Sequence, residues 1–323
     1  MTYVEFQGLS KCKLPFYLAA EEYVARHLED KEYFFMWQVE PTVIFGRNQV
    51  VQKEVNLDYC KSHSIEVYRR KSGGGCVYAD MDNIMFSYIT PGSEVKSIFR
   101  SYTYKVAEML RKLGLDAMST GRNDVMIGER KVSGNAFYTV AGHSIAHGTM
   151  LYDTNIENML NAITPSSVKL DSKGVDSVRA RVTTLCENLS MPIEEFKQYV
   201  RNSLCDETVI LTEKDIKGIR EIEKSYYEES WIFGKNPFAV VSKTTRIEGV
   251  GEFEVSIDVK GNKIRSLDLH GDFFPLADID SQLIKSLIGV DYKRESVEEA
   301  LKDIDVSEII RNLSNKQFVY LIF

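Results

Sequence analysis

Apolar positions along the chain recur with two periods, one helical and one of two residues, and turn residues separate the stretches. Residues 14–29 place Leu18, Tyr23 or Val24, and Leu28 near helical spacing and predict an amphipathic helix. Tyr33 to Trp37 and Thr42 to Phe45 are β-rich runs parted by Glu40-Pro41, and the second ends on the polar Gly46-Arg47-Asn48-Gln49. A short helix near 53–62 leads to the strand residues Ile65, Val67 and Tyr68, and Asn83 to Ile89 predicts another strand. The clearest helical pattern is 94–113, with Ile98, Tyr102, Val106, Leu110 and Leu113 on one side and Gly114 at its end. Asp124 to Ile127 and Arg130 to Gly134 then predict a hairpin turning at Gly128-Glu129. Residues 143–152 carry His147-Gly148-Thr149 into the apolar Met150-Leu151-Tyr152, and Asn155 to Ile163 is a short helix stopped by Thr164-Pro165.

Residues 166–184 are polar, cationic and aperiodic; a loop of that length in a compact domain is a lid or a disordered segment. Helices around 193–204 and 213–229 follow. Near residue 245 the pattern changes. Val255, Ile257 and Val259 alternate with polar residues, Gly261-Asn262 turns, and Ile264, Leu267 and Leu269 return as a hairpin. Short helices follow at about 278–288 and 297–303, the latter with Ser296 and Glu299 as a capping box. The pattern reads as an α/β (α+β) protein whose organisation changes near 245, with a small α+β domain over 246–323.

Composition narrows the function classes. A chain of 323 residues with 44% hydrophobic and 27% charged content is that of a soluble two-domain protein, though one large α/β domain would also fit. A net charge of −7 gives no general attraction to nucleic acid or anionic membrane, and no apolar run is long enough to span a bilayer. The N-terminus lacks a signal peptide's basic and apolar regions. Five cysteines, an odd number without CxxC spacing, fit a reducing cytoplasm rather than a disulfide framework or a zinc site.

Two stretches carry candidate chemistry. In the first, Arg69-Arg70-Lys71-Ser72 runs into Gly73-Gly74-Gly75, then Cys76-Val77-Tyr78-Ala79-Asp80. Three glycines expose bare backbone N–H groups to a ligand, and a guanidinium fork suits phosphate oxygens. The plainer alternative is a glycine hairpin with solvated arginines. Neither a Walker A loop nor a dinucleotide fingerprint is present. The second stretch, Gly121-Arg122-Asn123-Asp124 with Arg130-Lys131-Val132-Ser133-Gly134-Asn135, sets a lysine beside a glycine turn. Such a cation is either a solvated edge residue or a stabiliser of charge on a phosphoryl group and a carbonyl oxygen. Asn123-Asp124 fits an Asx turn as well as it fits a site for magnesium or a proton.

These stretches resemble a known family. RRKSGGGCVYAD is similar to the RRxSGGGxVYHD signature of lipoate–protein ligases, and GRNDVMIGERKVSGNAFY resembles their second block, whose lysine is catalytic. HGTMLY (147–152) matches a third block, KGVDSVRARVTTL (173–185) the adenylate-binding loop, and Trp231 to Pro237 the W-x-x-G-x-x-P element. The resemblance implies a biotin/lipoate-ligase-like fold, with mixed β-sheets flanked by helices in a catalytic domain over 1–245, in the form with a C-terminal accessory domain over 246–323. It implies ATP-dependent formation of lipoyl-AMP, with magnesium, and transfer of the lipoyl group to a lysine of lipoyl-domain proteins: E2 subunits of 2-oxoacid dehydrogenases and glycine-cleavage H protein.

On those terms Lys131 bridges the α-phosphate and the lipoyl carbonyl. Arg70 holds phosphate, Ser72 and Gly73, Gly74 and Gly75 face the acyl chain and nucleotide, and Val77 and Tyr78 offer apolar wall. Asp80 and Asn83 lie close to the nucleotide, Asn123 and Asp124 near ATP with Asp124 toward the metal. Ser133, Gly134, His147 and Gly148 complete the acyl tunnel. The implied protein is a cytoplasmic monomer without nucleic-acid or membrane partners.

Two positions depart from the family. Ala79 stands where the family has histidine, and Tyr17 where the early helix has asparagine. The alternatives are an ATP-independent octanoyl or lipoyl transferase and a non-catalytic lipoate binder. A transferase's nucleophilic cysteine would follow Pro165, where this chain has Ser166, and Cys76 reads as packing. A biotin ligase would need a Gly-Arg-Gly-Arg-x-Gly loop, which is missing.

Overall fold

The computed structural model describes residues 1–9, 11–49, 51–121, 123–163, 181–233, 241–260 and 263–323. The chain forms two compact units that are discontinuous in sequence. The larger comprises Met1–Ile44, Gln52–Arg69 and Cys76–Ile232; the smaller comprises Phe45–Val51, Arg70–Gly75 and Phe233–Phe323.

Up to the glycine loop the chain runs β1 (Thr2–Glu5), α1 (Leu14–His27), β2 (Tyr33–Trp37), β3 (Thr42–Phe45), α2 (Val51–Glu54), α3 (Leu57–Ser62) and β4 (Glu66–Arg69). After it come β5 (Val77–Ala79), β6 (Asn83–Pro91), α4 (Val95–Arg111), β7 (Ala117–Ser119), β8 (Asp124–Ile127), β9 (Arg130–Val140), β10 (His143–Leu151) and α5 (Ile156–Ala162). The larger unit ends with α6 (Ile193–Leu204), β11 (Glu207–Ile210), α7 (Glu213–Glu223) and a last turn, Glu229–Ile232.

Its main sheet has eight strands in the order β11-β1-β2-β6-β10-β9-β8-β7. β1 pairs in parallel with both β11 and β2, and every later pairing is antiparallel. A second sheet, β4-β3-β5, has three strands. Every residue of β10 is buried, because α1 and α4 both pack against it. Helix α1 can approach closely because Ala19, Ala20 and Ala25 are buried on it, and Pro15 in its first turn presets the helical φ. In α4 the buried residues Phe99, Tyr102, Val106 and Leu110 recur at helical spacing, and Tyr102 stacks on Tyr88 with centroids 5.2 Å apart.

The smaller unit holds β12 (Val241–Ile247), β13 (Gly251–Lys260) and β14 (Lys263–Asp272) as an antiparallel sheet. The inward residues Val255, Ile257, Ile264, Leu267 and Leu269 form one core with Leu287, Val297, Leu301 and Phe318 from the helices that follow. The expected turn at Gly261-Asn262 lies outside the described residues.

Two expected helices are corrected. The one expected over 213–229 breaks into α7, a tight turn at Lys224–Tyr226 and the Glu229–Ile232 turn. The one expected at 297–303 runs over Arg294–Ala300, with Lys293 as its N-cap, so no capping box forms at Ser296 and Glu299. Val297 is fully buried, and its N–H bonds the Lys293 carbonyl at 3.1 Å, which starts the helix before Ser296. Capping boxes form instead at Thr212 with Asp215 and at Ser314 with Gln317.

Candidate active site

The β8–β9 hairpin gathers the second candidate stretch. Asp124 pairs with Gly134 and Val125 with Ser133, and after a bulge at Val125/Met126 the ladder resumes with Met126 opposite Lys131. Lys131 Nζ lies 2.7 Å from Asp124 Oδ1, with both side chains about one-third exposed (35% and 28%). The lysine stem lies across Gly134, where a Cβ would stand 2.7 Å from both Cε and Nζ. On the backbone side, Lys131 N–H donates to Arg181 O at 2.8 Å and Lys131 O accepts from Thr183 N–H at 2.9 Å. The chain therefore returns from residues 164–180, which lie outside the described residues, to bridge onto the lysine's own strand. The stretch expected to be a lid falls mostly there.

Gly148 and His147 sit one strand over on β10, opposite Asn135 and Ala136. His147 Nδ1 is 2.9 and 3.0 Å from the two oxygens of Glu21, a carboxylate that is completely buried. Since a carboxylate only accepts, Nδ1 carries the proton of this bond. Glu21 also accepts from Ser87 Oγ at 2.5 Å and Tyr138 OH at 3.2 Å, and Ser87 Oγ accepts from Trp37 Nε1 at 2.9 Å. Burial drives the Tyr138 hydroxyl well above its usual range, so it remains a donor. None of Glu21, Ser87, Tyr138 or Trp37 was among the expected site residues. The signal for Glu21 is the Glu21-Glu22 pair on the helix face that carries Leu18 and Ala25, where an unpaired acid would be costly.

Tyr17, one of the two departures, stacks on Trp37 with centroids 4.9 Å apart and planes at 9°, and burial pushes its hydroxyl up to about 12. Ala79, the other, is fully buried on β5 opposite Thr42.

On the remaining edge of the unit, Val77 is half-buried and Tyr78 fully buried on β5. Asp80 accepts from the N–H groups of Asp82 and Asn155, both at 3.1 Å, and so ties the turn after β5 to the start of α5. Burial pushes its carboxyl above the ordinary range. Asn83 donates to Tyr78 O at 3.1 Å, while its buried Oδ1 has no hydrogen-bond partner among the described residues. Trp231 Nε1 donates to Arg69 O at 3.0 Å; Gly234 to Pro237 lie outside the described residues.

The glycine loop belongs to the smaller unit. Arg70 is buried and donates to Gly73 O and Gly75 O, both at 2.7 Å, and through Nε to Ser72 Oγ at 2.9 Å. These bonds brace the loop from inside. Gly74 has φ +86° and donates its N–H to Phe273 O at 3.0 Å. The Asp272 carboxylate and the Phe274 ring lie against Gly75 and Gly74. Gly46, from the polar run after β3, approaches so closely that a Cβ there would stand 2.0 Å from Gly74 O. The polar run is legible in the sequence, whereas this approach to Gly74 has no signature there. Thus the structure gathers Asp124, Lys131, Ser133, Gly134, His147 and Gly148 on adjacent strands of one unit, and Arg70 to Gly75 in the other.

Comparison with known families decides the assignment. The lipoyl protein ligase A/B catalytic domain matches residues 14–205, and the bacterial lipoate protein ligase C-terminus matches residues 236–322. This chain belongs to the lipoyl protein ligase A/B family. As a lipoate–protein ligase it is an enzyme of the ligase class. Lipoate-protein ligase LplJ of Bacillus subtilis is 32% identical, with 100% of each chain covered. Lipoate–protein ligase 1 of Staphylococcus aureus is 35% identical over 94% of this chain and 95% of its own. Among solved structures, a bi-partite lipoate protein ligase with its E2 lipoyl domain from Thermoplasma acidophilum covers 74% of the ligase described here and 98% of its own chain, at TM-score 0.65 and 29% identity. A lipoate-protein ligase A bound with ATP covers 72% and 98%, at TM-score 0.62 and 27% identity. P. falciparum LipL1 in complex with lipoate covers 99% and 97% at TM-score 0.75; at 19% identity this is a likeness of fold.

Within the ligase, no helix among the described residues is long and apolar enough to cross a membrane. Among those residues no group of three or more His, Cys, Asp or Glu side chains gathers as a metal site, and none of the five cysteines is in a disulfide.

Proposed function

We propose that the chain condenses lipoate with ATP to lipoyl-AMP and then acylates a lysine of a lipoyl domain. One lipoate carboxylate oxygen attacks the α-phosphorus, the bond to the β-phosphate oxygen breaks, and pyrophosphate leaves. The neutral ε-amine of the acceptor then attacks the carbonyl carbon, the bond to AMP breaks, and the amide forms with loss of a proton. The observation that carries this reading is the fixed ammonium of Lys131, laid across Gly134 and held by Asp124. A cation so placed stabilises negative charge growing on the phosphoryl and carbonyl oxygens more than it stabilises the ground state.

Asn83, whose buried Oδ1 has no hydrogen-bond partner among the described residues, and Asp80 would serve the nucleotide; Val77, Tyr78, Ser133, Gly134, His147 and Gly148 would line the acyl site. In the glycine loop, Ser72 and Gly73 to Gly75 would meet ligand, with Arg70 contributing to phosphate binding as well as bracing the loop. Magnesium arriving with ATP is held largely by phosphates and needs only one or two protein carboxylates, a role for Asp124 with Asn123 beside it. Residues 1–245 would hold the catalysis and 246–323 an accessory role. The neighbour solved with its E2 lipoyl domain and the one bound with ATP support these partners. E2 subunits and H protein are the proposed acceptors, with a cytoplasmic monomer as the working form.

The test is mass spectrometry of a lipoyl domain after incubation with the protein, lipoate and ATP. A single lipoyl adduct on one lysine is expected, dependent on both substrates and lost in Lys131→Ala. An adduct formed without ATP, or undiminished in Lys131→Ala, would reject the reading.

A further inference from the structure

We propose that Asn135 is a positioning residue for Lys131, and that position 148 is glycine because the Asn135 amide occupies the space its side chain would fill. Asn135 is buried, and its backbone N–H and its Nδ2 both donate to the Asn123 carbonyl, at 2.9 and 3.1 Å. Nδ2 also reaches Ser133 Oγ at 3.1 Å. The doubly held carbonyl belongs to the peptide that leads into Asp124, the residue whose carboxylate meets Lys131 Nζ. Between Asp124 and Lys131 the ladder is interrupted by the bulge at Val125/Met126. A bulge removes the regular bonds that would otherwise fix the two strands in register. Asn135 supplies an extra bond on the Asp124 side of that gap.

The other end of the amide points at β10. A Cβ on Gly148 would stand 1.9 Å from Asn135 Oδ1 and 2.6 Å from its Cγ, with the next neighbour, Gly134 O, at 2.8 Å. Even alanine at 148 would therefore turn the amide away from the Asn123 carbonyl. The role of Gly148 thus deepens the ligase reading, on which it rests: besides its place in the acyl wall, the residue acts on Lys131 through Asn135.

The experiment is lipoate-dependent ATP–pyrophosphate exchange by the full chain, comparing Asn135→Ala, Gly148→Ala, the double variant and Lys131→Ala. Each of the first two should lower kcat by about 10- to 100-fold with the KM for lipoate within about 2-fold of wild type, as expected for a misplaced group. The double variant should fall by less than the product of the two single losses, since the Asn123 tie is already lost and only the 2.8 Å approach of the new methyl to Gly134 O remains. Asn135→Ser, which keeps one short donor, should fold and lie between Asn135→Ala and wild type. Multiplying losses in the double variant, a raised KM with unchanged kcat in Gly148→Ala, or wild-type kcat in Asn135→Ala beside an inactive Lys131→Ala would overturn the proposal alone. Wild-type exchange in Lys131→Ala would overturn the ligase role of Lys131 and the proposal with it.

Discussion

The ammonium of Lys131 rests over the α-carbon of Gly134, leaving 2.7 Å between Nζ and the point where any side chain at 134 would begin. The missing side chain is thus part of how the cation is aimed. What a Cβ would meet is the far end of a flexible lysine, which can swing aside at little cost to the fold.

Gly134→Ala should therefore keep wild-type stability, within about 0.5 kcal/mol as for an unstrained surface change, and lose about 100-fold in adenylation rate. Thermal melting together with pyrophosphate exchange checks this. Full activity would mean that the position of the lysine over Gly134 has no bearing on the reaction.

Gly46 offers the opposite case. Its neighbour is the Gly74 carbonyl oxygen, 2.0 Å from a prospective Cβ, and main chain cannot step aside as a lysine can. Gly46→Ala should lower stability by about 1–3 kcal/mol through overpacking and distort the triglycine loop. Unchanged melting in urea would show that the two loops do not approach as described.

The buried Glu21 collects protons from Ser87, Tyr138 and His147. Glu21→Ala would remove the acceptor that Ser87, Tyr138 and His147 share in the buried core, at about 1–3 kcal/mol for each donor left unsatisfied. Glu21→Gln retains one accepting oxygen but turns an N–H₂ toward donors, and should be destabilised less. Equilibrium unfolding that ranks the glutamine variant below alanine would contradict the network.

For Asp80, burial raises the carboxyl pKa, so the folded state binds this proton more firmly than the unfolded one. The stability linked to it is fully present below the unfolded value of about 3.9 and is lost as pH rises through the raised folded value. Asp80→Asn has no such titration, although it gives up one acceptor for the Asp82 or Asn155 N–H. Its melting temperature relative to wild type should therefore climb as pH rises from about 4 through the raised folded value. A constant offset across that range would refute the assignment.

Much of this molecule follows from local pattern alone. The periods of two and 3.6 place β2, β3, β8, α1, α4 and α6 where the structure has them, because burial of one face is a local property of each segment. The motif order likewise brings Lys131 and Asp124 onto one hairpin, since a turn at Gly128-Glu129 leaves few other pairings. Residues without a chemical signature are set by neighbours distant in sequence. Gly46 matters because of Gly74, Gly148 because of Asn135, and Glu21 because of a histidine 126 positions away. The assignment of residues 45–51 and 70–75 to the unit of the C-terminal domain is of the same kind. Side-chain type tells what a residue can do. Which partner it meets, and whether a missing side chain leaves room for one, is fixed only when strands far apart in the chain come into register.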